Sequence, residues 1–216
     1  MAKSAEHAAR PFLASAYRIR RFVREHALAD RPHTSLWLAK TYVIPAGMYG
    51  SQVWGTGFLQ AGREFSSPLS TLHLHFLKGT LGVKQSTTNW AVLRECGHEP
   101  LQFFWFRSAV KLFNSMLNTN SDILRRVVQA DFNLQPRSSA CWTAQLLSAF
   151  QGLRGCESYV LAVQTGRAIP MQEFTADLIL GMSCDVHQPS NRYLFFVNSI
   201  SPMKLLPLQL SVKAEL

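Results

Sequence analysis

Apolar residues recur at the three- and four-residue spacing of amphipathic helices along most of this chain, and short clusters of Pro, Gly and Ser interrupt them. A first helix is predicted up to Arg31-Pro32-His33. A second is predicted over about residues 34–54, and Pro45 must bend or break it because the proline ring removes a backbone donor and clashes with the preceding turn. Gly55-Thr56-Gly57 then ends the second helix.

Capping residues and apolar spacing predict seven further helices. They run from Ser67 to Gly79 or Gly82, from Thr87 or Thr88 to Cys96, from Pro100 to Leu117, from Ser121 to Leu134, from Ala140 to Leu153, over Tyr159–Gln164 and over Phe174–Met182. The segment Tyr193–Val197 fits either a strand or a last helix. The sequence therefore predicts an all-α fold, an irregular multi-helix bundle, with a short strand or hairpin near the C-terminus as an open alternative.

Composition indicates a folded chain with an anionic partner. The chain has 216 residues and is 47% hydrophobic, which is enough for one or at most two cores and argues against disorder. It carries 22 Lys and Arg against 13 Asp and Glu, a net charge of +9, which points to phosphate or anionic lipid. Eight of the basic residues and only three of the acidic ones lie in the first forty positions. The positive field is therefore concentrated near the N-terminus.

The first helix is predicted to have an apolar face and an arginine face. At about 100° per residue, Phe12, Ala16, Ile19 and Val23 fall on one narrow stripe. Five arginines fan out over the opposite side: Arg10, Arg18, Arg20, Arg21 and Arg24. Only Glu25 is near enough in sequence to neutralise them. One face is therefore expected to dock on the fold, and the other to meet an anion.

A transit peptide is an alternative interpretation of the same segment. Residues 1–23 are rich in Ala, Ser and Arg, and Glu6 is their only acidic residue, as in mitochondrial and chloroplast leaders. A basic amphipathic helix that stays in the mature protein has the same composition, so the two interpretations remain open.

No membrane, metal or cofactor site is predicted. The four cysteines lack a Cys-x-x-Cys pair and follow no secretory leader, so reduced and mostly buried thiols are expected. No apolar run approaches the roughly 18 residues of a membrane span. His73 and His75 point about 200° apart on a helix, so they cannot share a metal, and each is expected in a surface or groove position. Cys96 and His98 have no second pair at zinc-finger spacing.

Two further patterns have structural explanations that we prefer. The five tryptophans lie within apolar helical patterns, which favours core packing over stacking on bases. Lys78-Gly79-Thr80-Leu81-Gly82 imitates the Gly-x-x-Gly loop of KH domains, but a helix C-terminus accounts for the same residues.

Three sequence blocks together resemble one known family. They are Tyr49-Gly50-Ser51-Gln52-Val53-Trp54-Gly55, then Phe76-Leu77-Lys78-Gly79-Thr80-Leu81-Gly82-Val83, and then Trp90-Ala91-Val92-Leu93-Arg94-Glu95-Cys96-Gly97-His98-Glu99-Pro100-Leu101. In this order they resemble the segment just after the polymerase active site in reverse transcriptases of non-LTR (LINE-type) retrotransposons. The resemblance covers about Ala8 to Leu117. It departs from the family at Gln52, where the family usually has Glu.

The resemblance implies a division of the chain and a role. Residues 1–117 are expected to be a thumb-like helical region that grips the primer–template duplex, and residues 118–216 a divergent helical region. The family's catalytic signature is an aromatic-x-Asp-Asp turn, and no Asp-Asp pair occurs in this chain. Two-metal phosphoryl transfer requires clustered carboxylates, so the chain is expected to be a fragment without polymerase activity of its own.

The expected function is therefore non-specific contact with the phosphate backbone of RNA, DNA or hybrid duplex. The residues expected to make this contact are Arg18, Arg20, Arg21, Arg24, Lys78 and Lys84. Two alternatives stay open: an organelle-imported helical protein with a basic transit segment, and a helical adaptor that binds protein through exposed aromatics. A nuclear or cytoplasmic location is favoured, with organellar import open.

Overall fold

The computed structural model describes residues 2–59, 65–135, 137–152 and 156–185, and these are helical with no strand among them. The α-helices are α1 (Ala2–Glu25), α2 (Pro32–Leu38), α3 (Ile44–Met48), α4 (Ser51–Trp54), α5 (Pro68–Leu81), α6 (Asn89–Cys96), α7 (Leu101–Leu117), α8 (Asp122–Leu134), α9 (Trp142–Gln151), α10 (Glu157–Gln164) and α11 (Met171–Asp185). The all-α prediction is confirmed. The segment Tyr193–Val197 lies outside the described residues. None of the described helices is long and apolar enough to cross a bilayer.

Local capping signals set most helix ends where the sequence predicts them. The Ser67 hydroxyl accepts a hydrogen bond from the Ser70 amide at 3.0 Å, and Pro68 occupies the first turn of α5. The Ser121 hydroxyl caps α8 in the same way. Gly82 and Gly97 end α5 and α6 in the left-handed conformation. The ends of α9, α10 and α11 differ from prediction by two or three residues.

The second predicted helix differs from expectation in how it accommodates Pro45. The chain stays helical through this proline, because a π-helical turn over Ala39–Val43 joins α2 to α3. The Ile44 amide donates to the Ala39 carbonyl five residues earlier. The wider turn leaves space for the proline ring and tolerates the hydrogen bond that proline cannot donate. The true break lies at Gly50, whose φ of 68° is left-handed. A 3-10 turn, Gly55–Phe58, then extends α4.

Helix α7 is the central element of one continuous core. It contacts α4, the 3-10 turn, α5, α8 and α11, and it is buried around most of its circumference. Its fully buried side chains are Trp105, Phe106, Ala109, Val110 and Phe113. The Phe106 ring packs against Phe150 of α9 at 4.9 Å and Phe174 of α11 at 5.1 Å between centroids. The two predicted regions of the chain therefore share this core.

The tryptophans divide between core and surface. Trp105 is fully buried, its indole N–H donates to the Met48 sulfur at 3.0 Å, and the Trp54 ring packs against it edge-on. The Trp142 indole donates to the Gln52 carbonyl. The expectation of core packing was wrong for Trp37, which is 60% exposed. Its apolar spacing did not distinguish the buried face of α2 from the exposed one.

We expect Trp105→Ala to lower the free energy of unfolding by about 3 to 5 kcal/mol, because it leaves a large cavity in the core. Trp37→Ala is the matched control, and a surface truncation of this kind stays within about 0.5 kcal/mol of wild type. Urea unfolding followed by far-ultraviolet circular dichroism measures both. Equal losses for the two variants would contradict this assignment of the core.

Candidate nucleic-acid interface

Helix α1 docks through the apolar stripe that its sequence predicts. Phe12 and Ala16 are buried, Ile19 and Val23 are half-buried, and the helix packs on α3 and α5. A side chain at Gly47 would meet the Phe12 ring, since its Cβ would lie 2.9 Å from Phe12 Cδ2. This close approach fixes the rotation of α1 about its axis, and so decides which arginines face outward.

The outward side of α1 carries four exposed arginines, which we call the arginine face: Arg10, Arg18, Arg21 and Arg24. Arg21 pairs with Glu25 at 2.6 Å, but both side chains are more than half exposed, so the pair is worth little and breaks readily. The side chains of Arg18 and Arg24 make no hydrogen bond or ion pair with other described residues. The exposed Tyr17 ring lies among them. The face is therefore positive and available.

Arg20 does not belong to the arginine face. It lies one helical turn after the buried Ala16, at the margin of the docked stripe. Its guanidinium lies over the Phe76 ring, 5.4 Å from the centroid, and donates to the His75 carbonyl at 3.3 Å. Arg20 thus joins α1 to α5, a contact that the helical-wheel analysis did not reveal.

The two predicted lysines have different positions. Lys78 is buried, and its ammonium donates to the Gln85 carbonyl at 2.7 Å, which closes the turn after α5. Its predicted place on the interface is corrected, because the ammonium is committed to the backbone. Lys84 is exposed in the loop after α5 and is accessible to an anion.

A buried histidine pair lies behind α1. His73 was expected at a surface or groove position but is buried; its Nε2 lies 3.1 Å from Nδ1 of His98, and one of the two nitrogens donates to the other. The His73 ring also packs edge-on against Phe12 of α1. Burial and the neighbouring His98 lower the pKa of His73 to about 3, and burial and Lys40 lower the pKa of His98 to about 4. The pair is neutral at pH 7.

We expect the free energy of unfolding to fall as the pH drops from about 6.5 towards 4. The unfolded chain takes up protons near the ordinary histidine pKa, whereas the folded pair stays neutral, so acid favours the unfolded state by up to about 1.4 kcal/mol per pH unit for each histidine. His98→Gln removes one titrating group and should make the profile shallower. His75→Gln, at an exposed position on α5, is the control for the substitution itself. Identical profiles for all three proteins would contradict the buried pair.

Exposed aromatic side chains also line the chain from α2 to α3. Trp37, Tyr42 and Tyr49 are each more than half exposed, and Tyr49 is 90% exposed. Tyr42 lies within the π-helical turn, a feature that is frequent at functional sites. The ammonium of the nearby Lys40 donates a hydrogen bond to the Gly97 carbonyl at 2.8 Å.

Among the described residues, no group of three or more His, Cys, Asp or Glu side chains is arranged to hold a metal ion.

Comparisons with protein-family models, with curated proteins and with solved structures gave no match to this chain. The interface is therefore interpreted from its own geometry and charge, together with the sequence blocks described above.

Proposed function

We propose that this chain is a nucleic-acid-binding helical segment of a non-LTR retrotransposon reverse transcriptase, and that it contacts the phosphate backbone through α1. The observation that carries the proposal is the arginine face, where Glu25 is the only acidic partner among the described residues. Arg10 and Arg24 are separated by about 21 Å along the helix axis, at 1.5 Å per residue. That length spans several phosphates of a duplex, which carries one charge per about 3.4 Å on each strand.

Contacts of this kind position a protein without specifying a sequence. Phosphate oxygens are the same at every base step, so an arginine that binds them carries no base information. Binding should be driven by counterion release and weaken steeply with salt. RNA, DNA and hybrid duplex all satisfy these contacts.

The chain alone is proposed to have no polymerase activity. Three of its aspartates have structural partners: Asp131 accepts from the Trp142 and Thr143 amides at the start of α9, Asp177 accepts from the Tyr159 hydroxyl, and Asp122 pairs with an arginine on α8. Asp122 and Asp131 lie nine residues apart on α8, Asp177 lies on α11, and each carboxylate serves a separate contact.

Purified protein should therefore show no primer extension with Mg²⁺ or Mn²⁺, because two-metal phosphoryl transfer needs carboxylates that converge on one site. The assay is template-dependent nucleotide incorporation. Incorporation above a protein-free blank would contradict this part of the proposal.

Replacing Arg18, Arg21 and Arg24 with Gln tests the interface. Each arginine that neutralises a phosphate of B-DNA contributes about −0.9 to the slope of log affinity against log salt. The triple variant should therefore bind duplex DNA with a slope shallower by about 2.7, without altered sequence preference. Fluorescence anisotropy at several salt concentrations measures both quantities.

The matched control removes the same charge from elsewhere. Arg126, Arg137 and Arg167 are exposed in the second half of the chain, and their replacement with Gln should leave the slope nearly unchanged. Equal flattening by the two triple variants would mean that binding follows net charge alone and not the arginine face.

A second candidate function, a protein-binding adaptor, is favoured by the exposed rings of Trp37, Tyr42 and Tyr49. Aromatic side chains with apolar bodies and polar tips are enriched at protein interfaces. A complex formed in this way would be insensitive to salt and would be lost when the three residues are changed to Ala.

A transit-peptide role for α1 is not favoured, because cleavage after Val23 would remove the buried Phe12 and the Arg20 contact with α5.

A further inference from the structure

A groove of about 390 Å³ lies between α1, α2 and α5, beside the arginine face. We call it the α1–α5 groove; its principal lining residues are Arg20, Val23, His75, Phe76, Gly79 and Thr80. Its walls combine apolar side chains with the Arg20 guanidinium and with the polar side chains of Ser35, His75 and Thr80, and no acidic residue is among the described residues that line it. The volume lies within the range of small-molecule pockets, so the groove can admit one nucleotide and not a duplex.

The guanidinium of Arg20 is held in place before any ligand arrives. It rests on the Phe76 ring, and one of its nitrogens donates to the His75 carbonyl. A guanidinium has five N–H donors, and this is the only hydrogen bond that the Arg20 side chain makes with the described residues. The planar cation therefore has two contacts that favour this orientation, and most of its donors have no partner among the described residues.

Gly79 makes this arrangement possible. A Cβ at this position would lie 2.6 Å from Nη2 of Arg20, so the guanidinium occupies the space that any other side chain would take. A glycine inside a helix is less stable than alanine by roughly 0.5 to 1 kcal/mol. Helix α5 therefore accommodates the arginine at the expense of its own helix propensity.

We propose that the α1–α5 groove binds one unpaired nucleotide of the strand that the arginine face holds. Arginine planes and aromatic rings form stacking platforms for unpaired bases, and the free donors of Arg20 suit base-edge or phosphate oxygens. Arg24 follows Arg20 by one turn and is exposed, so it can meet the adjoining phosphate. This inference rests on the proposed function and makes it more specific, since it adds recognition of a single-stranded base.

The test compares two duplexes that differ only in one unpaired base. Both carry a single-stranded overhang of equal length and charge; in one the first overhang position bears 2-aminopurine, and in the other it is abasic. The full-length chain should bind the base-bearing duplex at least about fivefold more tightly, since stacking of a base on a platform is worth about this factor or more. The 2-aminopurine fluorescence should change on binding. DNA and RNA overhangs show whether the 2′-hydroxyl matters.

Two variants connect the effect to the groove. Gly79→Ala places a methyl group where Nη2 of Arg20 lies. Arg20→Lys keeps the positive charge but removes the planar guanidinium and its fixed set of N–H donors. Both should abolish the preference for the base-bearing overhang and leave the salt slope unchanged. Gly152→Ala is the matched control, because a Cβ there meets no atom closer than 3.4 Å, and it should keep the preference.

Equal affinity of the wild-type chain for base-bearing and abasic overhangs would overturn the inference. A preference that survives both Gly79→Ala and Arg20→Lys would also overturn it, because the base would then be bound elsewhere. If duplex binding retains its salt slope in either case, the groove proposal alone fails. If the wild-type chain binds no nucleic acid, the proposed function fails as well.

Discussion

Helix α1 approaches two glycines where it packs on the bundle, and neither glycine has a side chain to keep it away. The Phe12 ring lies against Gly47 of α3, and the Arg20 guanidinium lies against Gly79 of α5. The first contact is apolar and the second is polar, and they lie about two turns apart on α1. The Phe12 contact restricts the rotation of the helix about its axis, whereas the Arg20 contact is made by the far end of a flexible side chain.

This docking separates the basic residues into two groups with different physical roles. Arg20 and Lys78 both donate to backbone carbonyls and help to hold the bundle together. Arg18 and Arg24 remain without protein partners among the described residues, and Arg21 has only an exposed pair. A count of positive charges in the sequence treats all of these alike. The packing of α1 and α5 decides which charges a ligand can neutralise without first breaking the fold.

Features that depend on neighbours in sequence were predictable, and features that depend on distant residues were not. The caps at Ser67 and Ser121 and the left-handed Gly97 involve bonds that span a few residues, so local pattern was sufficient. The Arg20 contact spans 55 residues and the histidine pair spans 25, and neither has a motif. The π-helical turn before Pro45 was not predicted for another reason. A proline shows that a regular turn is interrupted, but packing decides how the chain accommodates it.

Within the candidate interface, the same distinction explains what the sequence could and could not show. The helical wheel identified Phe12 and Ala16 as docked, and it identified Arg18, Arg21 and Arg24 as exposed. It also placed Arg20 on the exposed side, where the structure has it, but it could not show the contact of Arg20 with His75 and Phe76, because that contact depends on a helix distant in sequence. It could not identify the exposed face at Trp37, since an apolar residue on a short helix fits either side.

The edge-on contact between Phe12 and His73 has a consequence for synthesis of the chain. The two residues are 61 positions apart, so α1 leaves the ribosome well before the helix on which it packs. At about 5 to 20 residues per second, the delay is roughly 3 to 12 s. During that interval the apolar stripe can already pack on α3, through Phe12 and Gly47, but the α5 side of its packing is missing. The docking of α1 is therefore completed only after α5 has been synthesised.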